Sequence, residues 1–480
     1  MMPITWLHMG AGNISRIFLG ALQQNMLDAG IATGEMAMCE CYDEEIISSV
    51  FVPCDNKTIA VTLHTDGNIG KRTLRSVSEA FGRDQKRLNE IISATELQLI
   101  SLTITEKGYA VDPEKTCKSP AEAVTTLECV TAGLFARFTN QAPPLALVTM
   151  DNFAANGAKL AAAVLSIATA WQENGSVPTG FADYVKTQAY PWTMIDKITP
   201  HPSEAIAKTL NTMGVSQTQI ITTQKGTITA SFVNAEVCQY LVMEEDFPNG
   251  RPPFEQLKAN GVYLTDRENV RKVDHMKVCA CLNPLHTILG VSGMMLNYPT
   301  IAQCMKDSRL VTLLRKAAAE ALPVVAHPGI LDPKEFLEEV LTTRFPNPFI
   351  PDTPTRIATD SSQKIPVRFG QTLKARKEAN LPTEELTAIP LFIALWLRYR
   401  LGKNDAGEKL TLAPDPLVPE VIAALEGTPL GTAADISGIL TNEKLFGVSL
   451  TEVGLGEKVT QYFTALSTAP GAVGKVLDTV

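Results

Sequence analysis

No block of lysine or arginine stands out in this chain, and the balance runs the other way, with 42 basic residues against 51 acidic ones and a formal net charge of −9. Nucleic acid and anionic membrane both call for clustered positive charge, so neither is an expected partner. Long apolar runs are missing too. No stretch of about 18 residues reads as a membrane span. The longest candidate, 160–171, is Ala-rich and too short, and reads as a buried helix. The N-terminal residues lack the basic start and apolar core of a signal peptide, so a cytoplasmic location is expected. The nine cysteines are scattered. Cys39/Cys41 and Cys279/Cys281 form C-x-C pairs without the C-x₂₋₄-C spacing and further ligands that a structural zinc site needs. Reduced, mostly buried thiols and no metal are the expectation. No internal repeat or low-complexity segment is present.

What is there is a globular composition, 45% hydrophobic and 19% charged, over 480 residues, which is too long for one core. The first part alternates strand-like and helix-like patterns. Apolar runs at 4–9, 36–41, 97–104 and 145–150 read as strands, and 14–27, 77–92 and 120–138 as helices. Such alternation predicts an α/β fold with a Rossmann-like, doubly wound parallel sheet. From about 273 onward the patterns are helical, at 311–322, 333–342, 384–401 and 416–425. Proline-rich 345–354 and 412–419 read as loops, the second entering a helix. The expected division is a nucleotide-binding domain over 1–272 and a mainly α-helical substrate-binding and catalytic domain over 273–480.

Gly10-x-Gly12 follows a strand and opens a helix, the context that a dinucleotide fingerprint requires. Gly10 permits the tight turn, and Gly12 lets the backbone approach a pyrophosphate seated at the N-terminus of the helix, beside Asn13 and Ile14. Ser15 stands where the third glycine belongs. The second strand runs into Glu40-Cys-Tyr-Asp43. A carboxylate there bonds the adenosine ribose hydroxyls and repels a 2′-phosphate, so Glu40 or Asp43 points to NAD rather than NADP. The plain alternative is a solvated acidic turn.

Five collinear stretches then resemble the long-chain mannitol dehydrogenase family. Gly10-Ala-Gly-Asn-Ile-Ser-Arg16 is similar to its G-A-G-N-I-G-R turn, and Thr103-Ile-Thr-Glu-Lys-Gly-Tyr109, with Thr105, to its T-x-T-E-x-G-Y loop. Met150-Asp-Asn-Phe-Ala-Ala-Asn-Gly157 resembles C-D-N-x-x-x-N-G, and Met194-Ile-Asp-Lys-Ile-Thr-Pro200 resembles M-V-D-R-I-T-P. Lys277 followed by Asn283-Pro-Leu-His286 resembles the catalytic K-x₄-N-x₂-H segment, with five residues in place of four between Lys277 and Asn283. On a regular helix the extra residue would rotate the lysine by about 100°. Either the lysine lies ahead of the regular helix, in an approach segment, or a bulge absorbs the residue. Asn283-Pro284, suited to a first helical turn, favours the approach segment.

Alcohol oxidation by NAD needs a base for the hydroxyl proton and donors for the alkoxide. The resemblance implies Lys277 as acid/base, Asn152 and Asn283 as alkoxide donors and His286 on a substrate hydroxyl. It further implies Asp274 in proton exchange with solvent, Thr105 at the cofactor, and Asp196, Arg356 and Lys364 at the substrate. Taken singly, these residues have plainer readings. A loop lysine is usually solvated, a lone histidine usually sits in a core, and Asn152 and Asn156 would merely cap a helix starting near Ala154. Asp196 and Lys197 would form a surface pair.

Phe247-Pro-Asn-Gly-Arg-Pro-Pro253 and the Pro284-Leu285 pair between Asn283 and His286 are most similar to the family's hexuronate-reducing branch. There a keto-hexuronate, fructuronate, is reduced to mannonate with NADH. Arg356 and Lys364, with His201 or Arg368, would suit its carboxylate. Mannitol/fructose and tagaturonate are the alternative substrates; a non-enzymatic NAD sensor and a zinc-dependent alcohol dehydrogenase are the readings from other classes. The implied assembly is a monomer or small homo-oligomer.

Overall fold

Short apolar runs separated by glycine and polar turns form the strands of the N-terminal part of the chain. In order they are β1 (Ile4–Met9), β2 (Glu35–Cys39), β3 (Thr58–Leu63), β4 (Ile69–Leu74), β5 (Val77–Phe81), β6 (Leu99–Leu102) and β7 (Ala146–Thr149), then β8 (Thr193–Asp196), β9 (Ile220–Thr222), β10 (Ile228–Ala230), β11 (Phe232–Glu236), β12 (Tyr240–Glu244) and β13 (Val262–Thr265). The computed structural model describes residues 2–415, 418–432 and 434–480. It divides into two units, Met1–Arg271 and Lys272–Val480.

In the first unit β5-β2-β1-β6-β7 form a five-stranded sheet, parallel throughout. Its strands are buried on both faces, and alternate side chains feed two cores. Leu7, Met9, Ala37, Ile100 and Leu147 pack on one side; Trp6, Met36, Met38, Leu99 and Val148 pack on the other. The order places β1, with the glycine turn at its carboxyl end, in the middle of the sheet, where ligands bind in open α/β folds. Smaller sheets join β11-β3-β4 and β13-β12-β8, and β9 pairs with β10 as a hairpin.

Two assignments are corrected. The stretch read as one helix over 77–92 is strand β5 followed by the helix Gln85–Ser93. Val77, Ala80 and Phe81 happen to fit i, i+3, i+4 spacing, and an edge strand of five residues offers too little alternation to outweigh it. The helix expected over 120–138 begins only at Thr126, where Thr125 and Glu128 form a capping box.

The second unit is helical, with no strand among its described residues beyond one isolated bridge, Lys403–Lys409. Its central helix, Ala388–Tyr399, is buried along its whole length. The Glu320 carboxylate accepts the N–H groups of Ala388 (2.8 Å) and Ile389 (2.9 Å), meeting orphan donors at the helix start. The expected loop over 345–354 ends in the helix Pro354–Ala358. Of the loop and helix expected over 412–425, Pro416 and Leu417 lie outside the described residues, and the helix spans Glu420–Ala423. The helix Arg267–Met295 is long and apolar enough to cross a membrane, a run the sequence reading passed over. Of its apolar window 78% is buried inside the protein, as in a core helix.

Candidate active site

In the first unit the glycine turn is fixed from three sides. Gly10 has φ +110°, and its N–H donates to the Cys39 carbonyl at 2.7 Å. A Cβ on Gly10 would lie 2.4 Å from the Thr103 carbonyl oxygen. Around Gly12, by contrast, no atom comes within 4 Å of a built Cβ. That open cradle, at the start of a helix running from Asn13 to Asp28, fits a pyrophosphate against the N–H groups of Asn13 and Ile14.

The acidic residues after β2 are not the solvated turn considered above; both are buried. Glu40 accepts the Ala11 N–H at 2.8 Å through one oxygen and the Tyr42 and Asp43 N–H groups (2.8 and 3.0 Å) through the other. Asp43 accepts the hydroxyls of Thr223 (2.7 Å) and Thr227 (2.5 Å), which ties the loop to the β9–β10 hairpin. Glu40 therefore stays beside the glycine turn, whereas Asp43 faces the hairpin.

Thr105 has φ 62°, a strained value for a β-branched residue. Asp151 holds it there, accepting the N–H groups of Ile104 (2.8 Å) and Thr105 (3.2 Å) and the Tyr109 hydroxyl (2.7 Å). Burial raises the Asp151 carboxyl above the ordinary carboxylate range, against the pull of these three donors. Asn152, next in sequence, is exposed. Asn156 is buried and bonds Thr193 and the Asp151 carbonyl, so it joins β7 to β8. The helix there begins at Asn156. Asp196 is buried at the end of β8, opposite Tyr240 in the smaller sheet; His201 is exposed. Replacing Asp151 by alanine is expected to cost roughly 2–4 kcal/mol, three donors losing one charged acceptor; thermal unfolding measures it.

In the second unit Lys277 is buried, 3% exposed. It opens a π-helical turn, Lys277–Cys281, that follows the helix Arg267–Met276. The Leu282 N–H donates to the Lys277 carbonyl, an i→i+5 bond, and the helix resumes as Asn283–Met295. Asp274 precedes the lysine by one turn. Burial raises its carboxyl, while Lys277 and His275 pull it down. His286 is held against the Phe345 ring, centroids 5.0 Å apart. Its Nε2 lies 3.3 Å from Asp352 Oδ2 but without hydrogen-bond alignment. Burial lowers the His286 pKa, with Arg356 and Arg368 adding to the effect and Asp352 opposing it.

Three cations surround this histidine closely enough to perturb one another. Arg356 pairs with Asp352. The Lys364 ammonium donates to the carbonyls of Ile357 (3.0 Å) and Thr359 (2.5 Å). Arg368 donates to the Asn283 carbonyl (3.1 Å) and the Thr287 hydroxyl (2.5 Å). Burial first, and then the charges of Arg368 and Arg356, push Lys364 down to about 8, with Asp360 and Asp415 opposing. Among the described residues no group of three or more His, Cys, Asp or Glu side chains is placed to hold a metal ion.

Comparison with known proteins accounts for both units. A family model described as the mannitol dehydrogenase Rossmann domain matches residues 4–256, and one described as the mannitol dehydrogenase C-terminal domain matches residues 269–467. This chain belongs to the mannitol dehydrogenase family. It is 44% identical to the D-mannonate oxidoreductase of Thermotoga maritima, over 99% of this chain and 92% of that one. It is 26% identical to the mannitol 2-dehydrogenase of Cereibacter sphaeroides, over 83% and 81%. Among solved structures, a substrate-free D-sorbitol dehydrogenase superposes with a TM-score of 0.83 at 20% identity, covering 98% of this chain and 94% of that one. A Pseudomonas fluorescens mannitol 2-dehydrogenase with NAD and D-mannitol gives 0.69 at 23%, covering 100% and 94%. The chain is an NAD-dependent oxidoreductase acting on a CH–OH group.

Two of this mannitol dehydrogenase family member's departures from the family pattern have a local cause. Ser15, in the third-glycine place, turns its hydroxyl onto the carbonyls of Gly10 (3.0 Å) and Gly12 (2.9 Å), bracing the turn from inside. The extra residue before Asn283 is taken up by the π-turn, which closes one ring with five residues instead of four. Lys277 therefore lies ahead of the helix Asn283–Met295, as the Asn283-Pro284 start implied, and it does so in a helical π-turn. Sequence reasoning gave Asp151 no role of its own, although the D-N pair was in view. Nothing in local sequence showed that its carboxylate would gather a loop 42–47 residues away.

Proposed function

We propose that this chain reduces fructuronate to mannonate reversibly, with NADH as the reductant and Lys277 as the acid/base. The observation that carries the substrate is the cation group beside His286, in which neither Lys364 nor Arg368 forms a salt bridge among the described residues and both bond neutral oxygens instead. Cations held half out of water favour an anionic ligand, and a uronate supplies one carboxylate. The 44% identical D-mannonate oxidoreductase supports the same choice.

The glycine turn and the Asn13 and Ile14 N–H groups would hold the pyrophosphate, with Glu40 at the ribose end of β2. Bound NADH supplies the hydride that reaches the ketone carbon. The carbonyl oxygen then carries the developing negative charge. Asn283 offers that oxygen an uncharged amide donor, and the role of second donor falls to Asn152. The Lys277 ammonium gives its proton to the alkoxide oxygen, and in the oxidative direction the amine takes it back. Asp274, one turn earlier on the same helix, passes protons between the lysine and solvent. His286, whose burial disfavours the charged imidazolium, serves a substrate hydroxyl as donor or acceptor. Arg356 and Lys364 keep their substrate-binding roles. Asp196 stays a candidate for the substrate and Thr105 for the cofactor. Nine cysteines, seven of them buried, suit a reducing cytoplasm.

The decisive assay is NADH oxidation with fructuronate, tagaturonate and fructose side by side, each with and without chelator. Turnover of fructuronate that survives the chelator is expected. Turnover of fructose alone would move the substrate to a polyol, and loss with chelator would remove the lysine mechanism. The Lys364 charge adds a pH signature. As pH rises through about 8 its ammonium deprotonates, so mannonate binding is expected to weaken above that pH. Lys364→Arg, charged throughout, should flatten the dependence. A pH-independent mannonate Kd in the parent enzyme would mean that the Lys364 charge does not act on the bound anion.

A further inference from the structure

The π-turn that carries Lys277 is matched by a second one, Pro366–Gly370, in the same unit. The two are fastened together. Cys279 Sγ donates to the Val367 carbonyl at 3.5 Å, and the Thr372 hydroxyl donates to the Cys279 carbonyl at 3.2 Å. Arg368 projects from the second turn. One nitrogen, Nη1, bonds the Asn283 carbonyl and the Thr287 hydroxyl. Residues 283, 286 and 287 share one helical face, so the guanidinium lies along the face that carries Asn283 and His286.

The three cations of this group differ in what they have left to offer. Arg356 has its charge offset by Asp352. Lys364 spends two of its three N–H donors on carbonyls. Arg368 uses Nη1 alone; its Nε and Nη2 make no hydrogen bond among the described residues. That edge presents two parallel N–H groups, the geometry that matches both oxygens of a carboxylate. A half-buried guanidinium with a vacant fork is costly to desolvate unless an anion completes it.

Resting on the fructuronate reading, we propose that Arg368 is the residue that selects a uronate over a neutral polyol, by gripping the substrate carboxylate through its Nε–Nη2 edge. The Nη1 bonds hold the fork in register with Asn283, so carboxylate recognition and alkoxide stabilisation are set by one side chain and its neighbour. Arg356 and Lys364 then serve the hydroxyls and the general positive field.

The test uses full-length enzyme with saturating NADH and two inert ligands, D-mannonate and D-mannitol, titrated by nicotinamide fluorescence. In Arg368→Gln the mannonate Kd is expected to rise about 30–100-fold, as for a lost bidentate charge-assisted pair, with the mannitol Kd within about 2-fold. Arg368→Lys, which keeps the charge without the fork, should fall between. Equal loss of both ligands would mean that Arg368 only braces Asn283 and Thr287, and would overturn the proposal, as would unchanged mannonate binding. Mannitol 1-phosphate competing as well as mannonate in the parent enzyme would also overturn it, since the edge would then serve phosphate. A parent enzyme that binds mannitol and not mannonate would instead overturn the fructuronate reading itself.

Discussion

Lys277→Ala is expected to lower kcat by about 10³–10⁴-fold at neutral pH, toward the upper end of what one positioned acid/base contributes. That is about 4–5.5 kcal/mol in the barrier. NADH affinity should change less than about 2-fold. The residues assigned to the nucleotide all lie in the first unit and Lys277 in the second, so truncation removes a proton carrier without touching the glycine turn. Stability is a weaker readout, because the lysine is buried in a π-turn whose carbonyl still accepts from Leu282 whatever the side chain. Small primary amines should restore part of the lost rate if the missing group is an ammonium, whereas collapse of the turn would leave nothing to restore. Retention of most activity in the alanine variant would sink the role and send the search to Asp274 or His286.

The parallel sheet was legible because β1, β2, β6 and β7 are continuous apolar runs bounded by turns. The glycine turn was legible because only glycine tolerates Gly10's backbone angle and its approach to Thr103. Tertiary pairing was not. Some strands of the smaller sheets find partners far along the chain, as β11 does in β3. The candidate site shows the same division. Lys277, Asn283 and His286 sit close together in sequence, so their spacing was visible and its one-residue excess could be noted. What absorbed that excess is a hydrogen-bond choice, i→i+5 for i→i+4, which no residue type announces. Arg368 lies 85 residues beyond Asn283, and only the packing of one π-turn on another brings the two together. Glu40 and Asp43, indistinguishable as neighbouring carboxylates, were separated by their partners: the Ala11 N–H of the glycine turn and two N–H groups of its own loop for one, threonine hydroxyls of a hairpin for the other.

The glycine turn offers the second large effect, and a paired substitution separates fold from function. Gly10→Ala must accept φ +110° and place Cβ 2.4 Å from the Thr103 carbonyl oxygen and 2.9 Å from its hydroxyl. Thr103 has little room to yield. Its N–H donates to the Met9 carbonyl at 3.0 Å, and its hydroxyl is 2.9 Å from His8 Nε2. Burial lowers His8 to about 3, so the ring is neutral and this contact persists across the working pH range. Backbone strain and overpacking together should cost roughly 3–5 kcal/mol, with a lower unfolding midpoint and NADH binding weakened at least about 10-fold. Gly12→Ala should behave differently. Its Cβ meets no protein atom within 4 Å and its φ is not positive, so the unfolding midpoint should hold within experimental error. NADH affinity should nevertheless fall about 10-fold or more, because the added methyl takes the space assigned to the pyrophosphate. Thermal unfolding and fluorescence titration on the two variants resolve the cases. A Gly12→Ala enzyme that binds NADH like its parent would show that the pyrophosphate lies elsewhere; a stable, tight-binding Gly10→Ala enzyme would show that the segment after β6 can move.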